Sequence, residues 1–227
     1  MTGRVVVSAP RSGINWLRFW IEDSYGLSTG GEGVARGATG QVPCIARSHD
    51  PLGLRPVRFW RRDSRSRAWT RLDPAAAAGG RVLLILRNPL EVFVRAAGGS
   101  RSKFLCYASC IRFLTEARGA ERLVVHYEDL IAKPETMAQA LAFLALEPAP
   151  GFTAPDVAQI AAGWADAGRR SRENYSSRHS SGTKTAWNPL DFTFHSRALS
   201  AAKAQRVWAE LDAALDAEGR ALLDRYR

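Results

Sequence analysis

Residues 4–20 read RVVVSAPRSGINWLRFW. The apolar run at 4–8 predicts a short buried strand. Ala9-Pro10-Arg11-Ser12-Gly13 has the composition of a tight turn, and Ile14–Tyr25 repeats apolar residues at helical spacing. A strand that feeds a helix through such a turn aims several backbone N–H groups at one point, which favours an anion. Gly13 lets the chain approach that anion closely. Arg11 adds a charged fork of donors, and Ser12 and Asn15 add side-chain donors. The stretch is not a Walker A loop: it lacks G-x4-G-K-[ST], hence both the lysine and the metal-binding hydroxyl.

The same alternation continues outward. RVLLIL at 81–86 predicts the clearest buried strand, with a helix opening over Pro89–Ala97. RLVVHY at 122–127 predicts another strand, and VPCIAR at 42–47 a further one. Helices are expected over 103–118 and Glu135–Leu146, and Ala75–Gly80 reads as a linker or helix end. Residues 26–40 and the polar segment 169–197 read as loops. The run 199–225 places Val207, Leu211, Leu215 and Leu222 at helical spacing. Strands alternating with helices predict an α/β fold, a P-loop-like parallel sheet flanked by helices. A single domain over 1–227 is expected, in which the helical and loop part beyond about residue 150 closes over a nucleotide site.

The chain has 227 residues, 46% hydrophobic and 24% charged, so it can bury a core without staples. It contains no apolar run of membrane-spanning length, and MTGRVVVSAP is too short in its apolar part for a signal segment. A cytoplasmic protein is expected. Cys44, Cys106 and Cys110 show no paired spacing, which predicts reduced thiols and no zinc site. The net charge is +10; of 32 basic residues four are Lys (103, 133, 184, 203), leaving 28 Arg. So much Arg and Ala suggests a GC-rich coding bias, while the basic balance suggests an anionic partner.

Further motifs follow the first. Arg87-Asn88-Pro89 ends a buried strand, and a strand's carboxyl end is where an open α/β sheet meets its ligand. Tyr127-Glu128-Asp129-Leu130 follows another strand, with Glu128 and Asp129 also suited to a helix start. Arg47-Ser48-His49 follows a third candidate strand. His126 is expected to face away from Tyr127.

In this order the motifs resemble those of the sulfotransferases that use 3'-phosphoadenosine 5'-phosphosulfate (PAPS). That family's first loop reads approximately Tyr-Pro-Lys-Ser-Gly-Thr-Thr-Trp-Leu. Here Arg11 stands at the lysine and Asn15 at the second threonine. The resemblance implies that Arg11, Ser12, Gly13, Ile14 and Asn15 hold the 5'-phosphosulfate and that Trp16 packs on the adenine. It implies that Arg87 holds the 3'-phosphate and Tyr127 contacts the adenine. The family's second motif also has a serine eight residues after the arginine; Arg95 stands there. The family's late Arg-Lys-Gly-x-x-Gly-x-Trp is matched only at Gly182 and Trp187. Its Arg-Lys pair is Ser180-Ser181, with Arg178 upstream. Either Arg95 or Arg178 would replace that pair, and Arg95 equally suits a solvent-facing position. Arg47 and His49 match the family's Lys-Thr-His, which makes His49 the general base and Arg47 a contact to the transferring group.

The resemblance covers residues 5 to about 193. It implies sulfuryl transfer from PAPS to a hydroxyl of a small acceptor, without metal, with Arg11 and Arg47 stabilising the developing charge. Phe59, Trp60 and Trp69 suit an aromatic or amphipathic acceptor of the kind met in secondary metabolism. Two other readings stay open. Residues 55–71 hold seven Arg and one acid among aromatic residues, as in a nucleic-acid-binding module. A P-loop-like kinase is the second.

Overall fold

A computed structural model describes residues 3–30, 42–55, 69–95, 97, 99–177 and 199–227. Strand β1 (Arg4–Ser8) pairs in parallel with β2 (Ala46–Ser48) on one side and β3 (Arg81–Leu86) on the other; β3 pairs in parallel with β4 (Glu121–His126). The order is β2-β1-β3-β4. From β1 the chain crosses to β2 on one side, and from β3 to β4 on the other. The carboxyl ends of β1 and β3 therefore flank a topological switch point, where neighbouring connections diverge and leave a crevice.

Side chains alternate across the sheet and split the interior in two. Val6, Leu83, Ile85 and Val125 face helices α1 (Ile14–Tyr25), α4 (Tyr127–Ala132), α5 (Pro134–Leu144) and α6 (Val157–Ser177). Val5, Val7, Val82, Leu84 and Leu86 face α2 (Pro89–Arg95), α3 (Arg101–Glu116) and α7 (Ala201–Ala214). Burial on both faces explains why β3 reads as an unbroken apolar run. A short helix α8 (Ala217–Ala221) and a 3₁₀ turn (Asp224–Tyr226) follow on the second face.

Several boundaries differ from expectation. β2 covers 46–48 rather than 42–47, because the Cys44 N–H bonds the Ser28 carbonyl at 2.8 Å and Val42 is 84% exposed. β4 ends at His126, and Tyr127 already opens α4. The expected loop over 169–197 is corrected: α6 runs to Ser177. Asp156 and Gln159 cap its start reciprocally, at 2.7 and 2.9 Å. Further along, Asp166–Arg170 and Arg169–Glu173 pair at i,i+4, and Arg170 reaches Asp23 on α1. The run after 199 breaks at Leu215, which is extended, and Asp216 recaps the chain by accepting from the Gly219 N–H at 2.7 Å.

Candidate functional site

The turn after β1 has an unusual backbone. Arg11 has φ 68° and Gly13 φ 85°, both left-handed. A side chain at Gly13 would meet the Tyr127 ring, since a Cβ there lies 2.6 Å from Cδ2 and 2.9 Å from Cε2. α1 starts on Gly13 without a side-chain cap; the Trp16 N–H bonds the Gly13 carbonyl at 2.9 Å, and the N–H groups before it are those a helix start leaves to a ligand. Ser12 is fully buried, and its Oγ has no hydrogen-bond partner among the described residues. A buried hydroxyl left in that state is costly, which makes it a candidate ligand group. The Arg11 side chain is exposed, whereas Ile14 is buried in the core and can offer only its backbone. Asn15 is exposed, and its Oδ1 accepts from Arg18 at 3.0 Å.

The turn after β3 lies across the switch point from this one. Asn88 caps α2 by accepting the Leu90 N–H at 2.9 Å, and Pro89 takes the first helical position, where a missing N–H costs nothing. Arg87 stands just before the cap, 3% exposed. Its Nη1 donates to the Arg11 carbonyl at 2.5 Å, which ties the two turns together. Its guanidinium lies 4.2 Å from the centroid of the Tyr127 ring and pairs with buried Glu91 at 3.6 Å. The Tyr107 hydroxyl donates to the Arg87 carbonyl at 2.6 Å. Tyr127 is buried, at the start of α4.

His49 lies one residue beyond β2. Its Nδ1 is 2.6 Å from the Ser8 carbonyl, so that nitrogen carries the proton and Nε2 keeps its lone pair. Burial, together with the charges of Arg47, Arg18 and Arg55, holds the imidazole down at about 4 against the opposing Ser8 bond. Trp69 packs edgewise on the ring at 5.3 Å, and Arg55 lies 4.2 Å over Trp69. Arg47 is buried on the α1 side; its Nη2 donates to the Gly30 carbonyl at 3.1 Å, and its Nε has no partner among the described residues. Burial and the neighbouring Arg18 lower it to about 10, while Glu22 opposes them. Arg18 also bonds Gly30, Thr29 and Glu22, so the two arginines share one carbonyl and one carboxylate in their surroundings.

Residues from the ends of all four strands thus meet along one edge of the sheet. Trp16, half-buried in the first turn of α1, packs in an aromatic cluster with Phe19, Trp20 and Trp164. Arg95 is the last residue of α2, and its side chain lies outside the described part. Arg178, Gly182, Trp187 and most of the Arg-rich run, residues 56–68, also lie outside it. Two clefts among the described residues lie elsewhere, one beside Gly3 and Phe113 and one between α3 and α7. The three thiols are free; burial raises those of Cys106 and Cys110, so they pack rather than react.

Motif reading missed Glu91, Tyr107, Arg18, Glu22 and Ser8. Glu91 is four residues after Arg87 and Glu22 four after Arg18, a spacing that signals an ion pair; Tyr107 and Ser8 carried no local signal. His126 lies on the face opposite Tyr127 and meets Tyr226, with Nδ1 3.0 Å from its hydroxyl. Among the described residues no group of three or more His, Cys, Asp or Glu is arranged to hold a metal, and no helix is long and apolar enough to cross a membrane. No family model matches the chain, and no curated protein matches it.

Proposed function

We propose that this chain is a PAPS-dependent sulfotransferase that transfers a sulfuryl group to the hydroxyl of a small acceptor, with a P-loop-like turn after its first strand. The observation that carries this reading is the meeting of Arg11-Ser12-Gly13, Arg87, Tyr127 and His49 at the carboxyl edge of a parallel sheet, around its switch point. Four strand ends bring the four motifs to one edge, which supports the reading.

The residues fit the nucleotide with one reservation of chemistry. Ser12 Oγ, the open N–H groups of α1 and the exposed Arg11 side chain suit the 5'-phosphosulfate. Arg87 is already engaged by the Arg11 carbonyl and by Glu91, so a 3'-phosphate would share its five donors with those contacts. Tyr127 and Trp16 supply aromatic surface for the adenine. In this reading the part beyond residue 150 closes over the nucleotide, with Arg178 and Gly182 contributing. Arg95 would add charge near the 3'-phosphate.

PAPS would supply the electrophilic sulfuryl group, the bond from sulfur to its bridging oxygen breaking as the acceptor oxygen bonds sulfur, with adenosine 3',5'-bisphosphate as the leaving group. His49 is neutral at neutral pH and receives the acceptor's hydroxyl proton at Nε2, while Nδ1–H stays on the Ser8 carbonyl. Arg11, Arg47 and the α1 amides hold negative charge as it develops, so no metal is required. Bound anions near His49 raise its pKa towards the working range.

The test is incubation of the protein with labelled PAPS and mixed acceptors, read as a mass gain of one sulfate. It is run beside thermal stabilisation by adenosine 3',5'-bisphosphate without metal. At a hundredfold excess over Kd, mass action adds about 2.7 kcal/mol. No stabilisation at millimolar nucleotide would reject the reading; tight binding to DNA or heparin in its place would favour a nucleic-acid module.

A further inference from the structure

The turn that carries Arg87 is held at backbone atoms from several directions. The Tyr107 hydroxyl donates to the Arg87 carbonyl at 2.6 Å, and Glu128 Oε1 accepts from the Asn88 N–H at 3.2 Å. The other oxygen of that carboxylate, Oε2, accepts the Tyr226 hydroxyl at 2.7 Å. The same hydroxyl lies 3.3 Å from the Leu86 carbonyl. A phenol has one proton. With that proton on Glu128, the His126 Nδ1 at 3.0 Å must be the N–H donor to the phenol oxygen. Burial and Glu128 hold the phenol well above its usual range, so this polarity persists at working pH.

Tyr226 therefore closes a chain from His126 through Glu128 to Asn88. Arg225 pairs with Asp129 in the first turn of α4 and fixes the 3₁₀ turn that presents the phenol. Their hydrogen bonds reach the site through the backbone of residues 86–88 and through the first turn of α4, which Tyr127 opens.

We infer that Tyr226 is a positioning residue for Arg87, acting through the Glu128 carboxylate on the Asn88 N–H and so on the 3'-phosphate end of the nucleotide site. The inference rests on the sulfotransferase reading for its ligand, but the mechanical link is testable without any ligand. Tyr226→Phe keeps the ring and removes the hydroxyl. Loss of one hydrogen bond of ordinary strength corresponds to about fivefold in an equilibrium constant.

Amide hydrogen exchange in the nucleotide-free protein is the first measurement. Asn88 N–H should exchange about fivefold faster in Tyr226→Phe, with the β1 core amides unchanged. Dissociation constants for adenosine 3',5'-bisphosphate and adenosine 5'-monophosphate form the second. The first ligand should weaken about fivefold and the second by less than about twofold. Glu128→Ala should reproduce that split, and the double variant should be no worse than Glu128→Ala alone. A variant that melts lower yet leaves Asn88 exchange and the ratio of the two affinities unmoved makes Tyr226 a structural tether only and overturns the inference. Wild-type protein that binds neither nucleotide rejects the functional reading and this inference with it. Wild-type binding with an unmoved ratio rejects the inference alone.

Discussion

Gly13→Ala should damage both the fold and the site, by two causes that can be separated. The first is backbone strain. Gly13 has φ 85°, and an L-residue held in the left-handed region costs about 1–2 kcal/mol. The second is a collision. The new methyl would lie 2.6 and 2.9 Å from two carbons of the Tyr127 ring, closer than real side chains approach. The ring cannot simply withdraw, because it is 2% exposed and has the Arg87 guanidinium 4.2 Å from its centroid. Overpacking of this kind costs about 1–3 kcal/mol. The sum is about 2–5 kcal/mol, measurable by urea denaturation at pH 7 with an unchanged m-value. Tyr127→Ala should relieve the collision but not the strain. In that background Gly13→Ala should cost only about 1–2 kcal/mol, a coupling of about 1–3 kcal/mol in a double-mutant cycle. Additive effects would refute the argument that the turn and the tyrosine are in contact, and with it the placement of Tyr127 beside the turn after β1.

Other expectations follow from the same geometry. His49→Ala should lower kcat by about 10²–10⁴-fold in the sulfate-transfer assay with nucleotide affinity retained; near-normal turnover would exclude His49 as the base. The folded imidazole titrates near 4 against 6.5 unfolded, so the unfolded chain binds more protons between those values. Its share of stability is therefore full above 6.5 and lost as pH falls towards 4. That share is at most about 3 kcal/mol, less to the extent that water reaches the half-buried residue. Urea titrations at pH 7 and 4.5 should show the loss in wild type and not in His49→Gln. Arg11→Gly should relieve the strain at φ 68° and raise stability by about 1 kcal/mol. The same change should weaken adenosine 3',5'-bisphosphate binding, and a gain in both would show that the side chain has no ligand role. Arg95→Ser should cost about 1.5–3 kcal/mol of binding for adenosine 3',5'-bisphosphate and much less for adenosine 5'-monophosphate; equal losses would remove Arg95 from the 3'-phosphate.

What the sequence made legible was set by periodicity. β1, β3 and α1 have the boundaries that their apolar patterns predict, because each spends its apolar face or faces on a core. β2 was harder to place: Cys44 and Ile45 look like strand, but the Cys44 amide bonds to Ser28 instead of β1. The helical end of α6 was hidden because its stability comes from charged pairs and the tie of Arg170 to Asp23, none of which appears in a hydrophobic pattern. Arg87, Tyr127 and His49 could be singled out because each follows a strand or candidate strand, and a parallel sheet delivers such positions to one edge. Their partners were not legible in the same way. Tyr107 lies 20 residues from Arg87 and Tyr226 lies 98 from Glu128, and no local spacing links either pair.

That contrast bears on how the site works. A residue at a strand end is aimed by the sheet, but aim alone does not set how Arg87 divides its donors between protein and ligand. Glu91 and the Arg11 carbonyl now hold that guanidinium in a buried setting, where an ion pair is stable only if its geometry is kept. Removing Glu91 would leave a buried cation without its carboxylate, which should destabilise the fold by about 3–5 kcal/mol. The same removal frees donors for an anionic ligand, so adenosine 3',5'-bisphosphate should stabilise Glu91→Gln more than it stabilises the wild type. If the two proteins gain equally from the ligand, the phosphate does not compete with Glu91 for Arg87. The phosphate would then either use donors of Arg87 that Glu91 does not engage or be held by Arg11 or another arginine at the same edge.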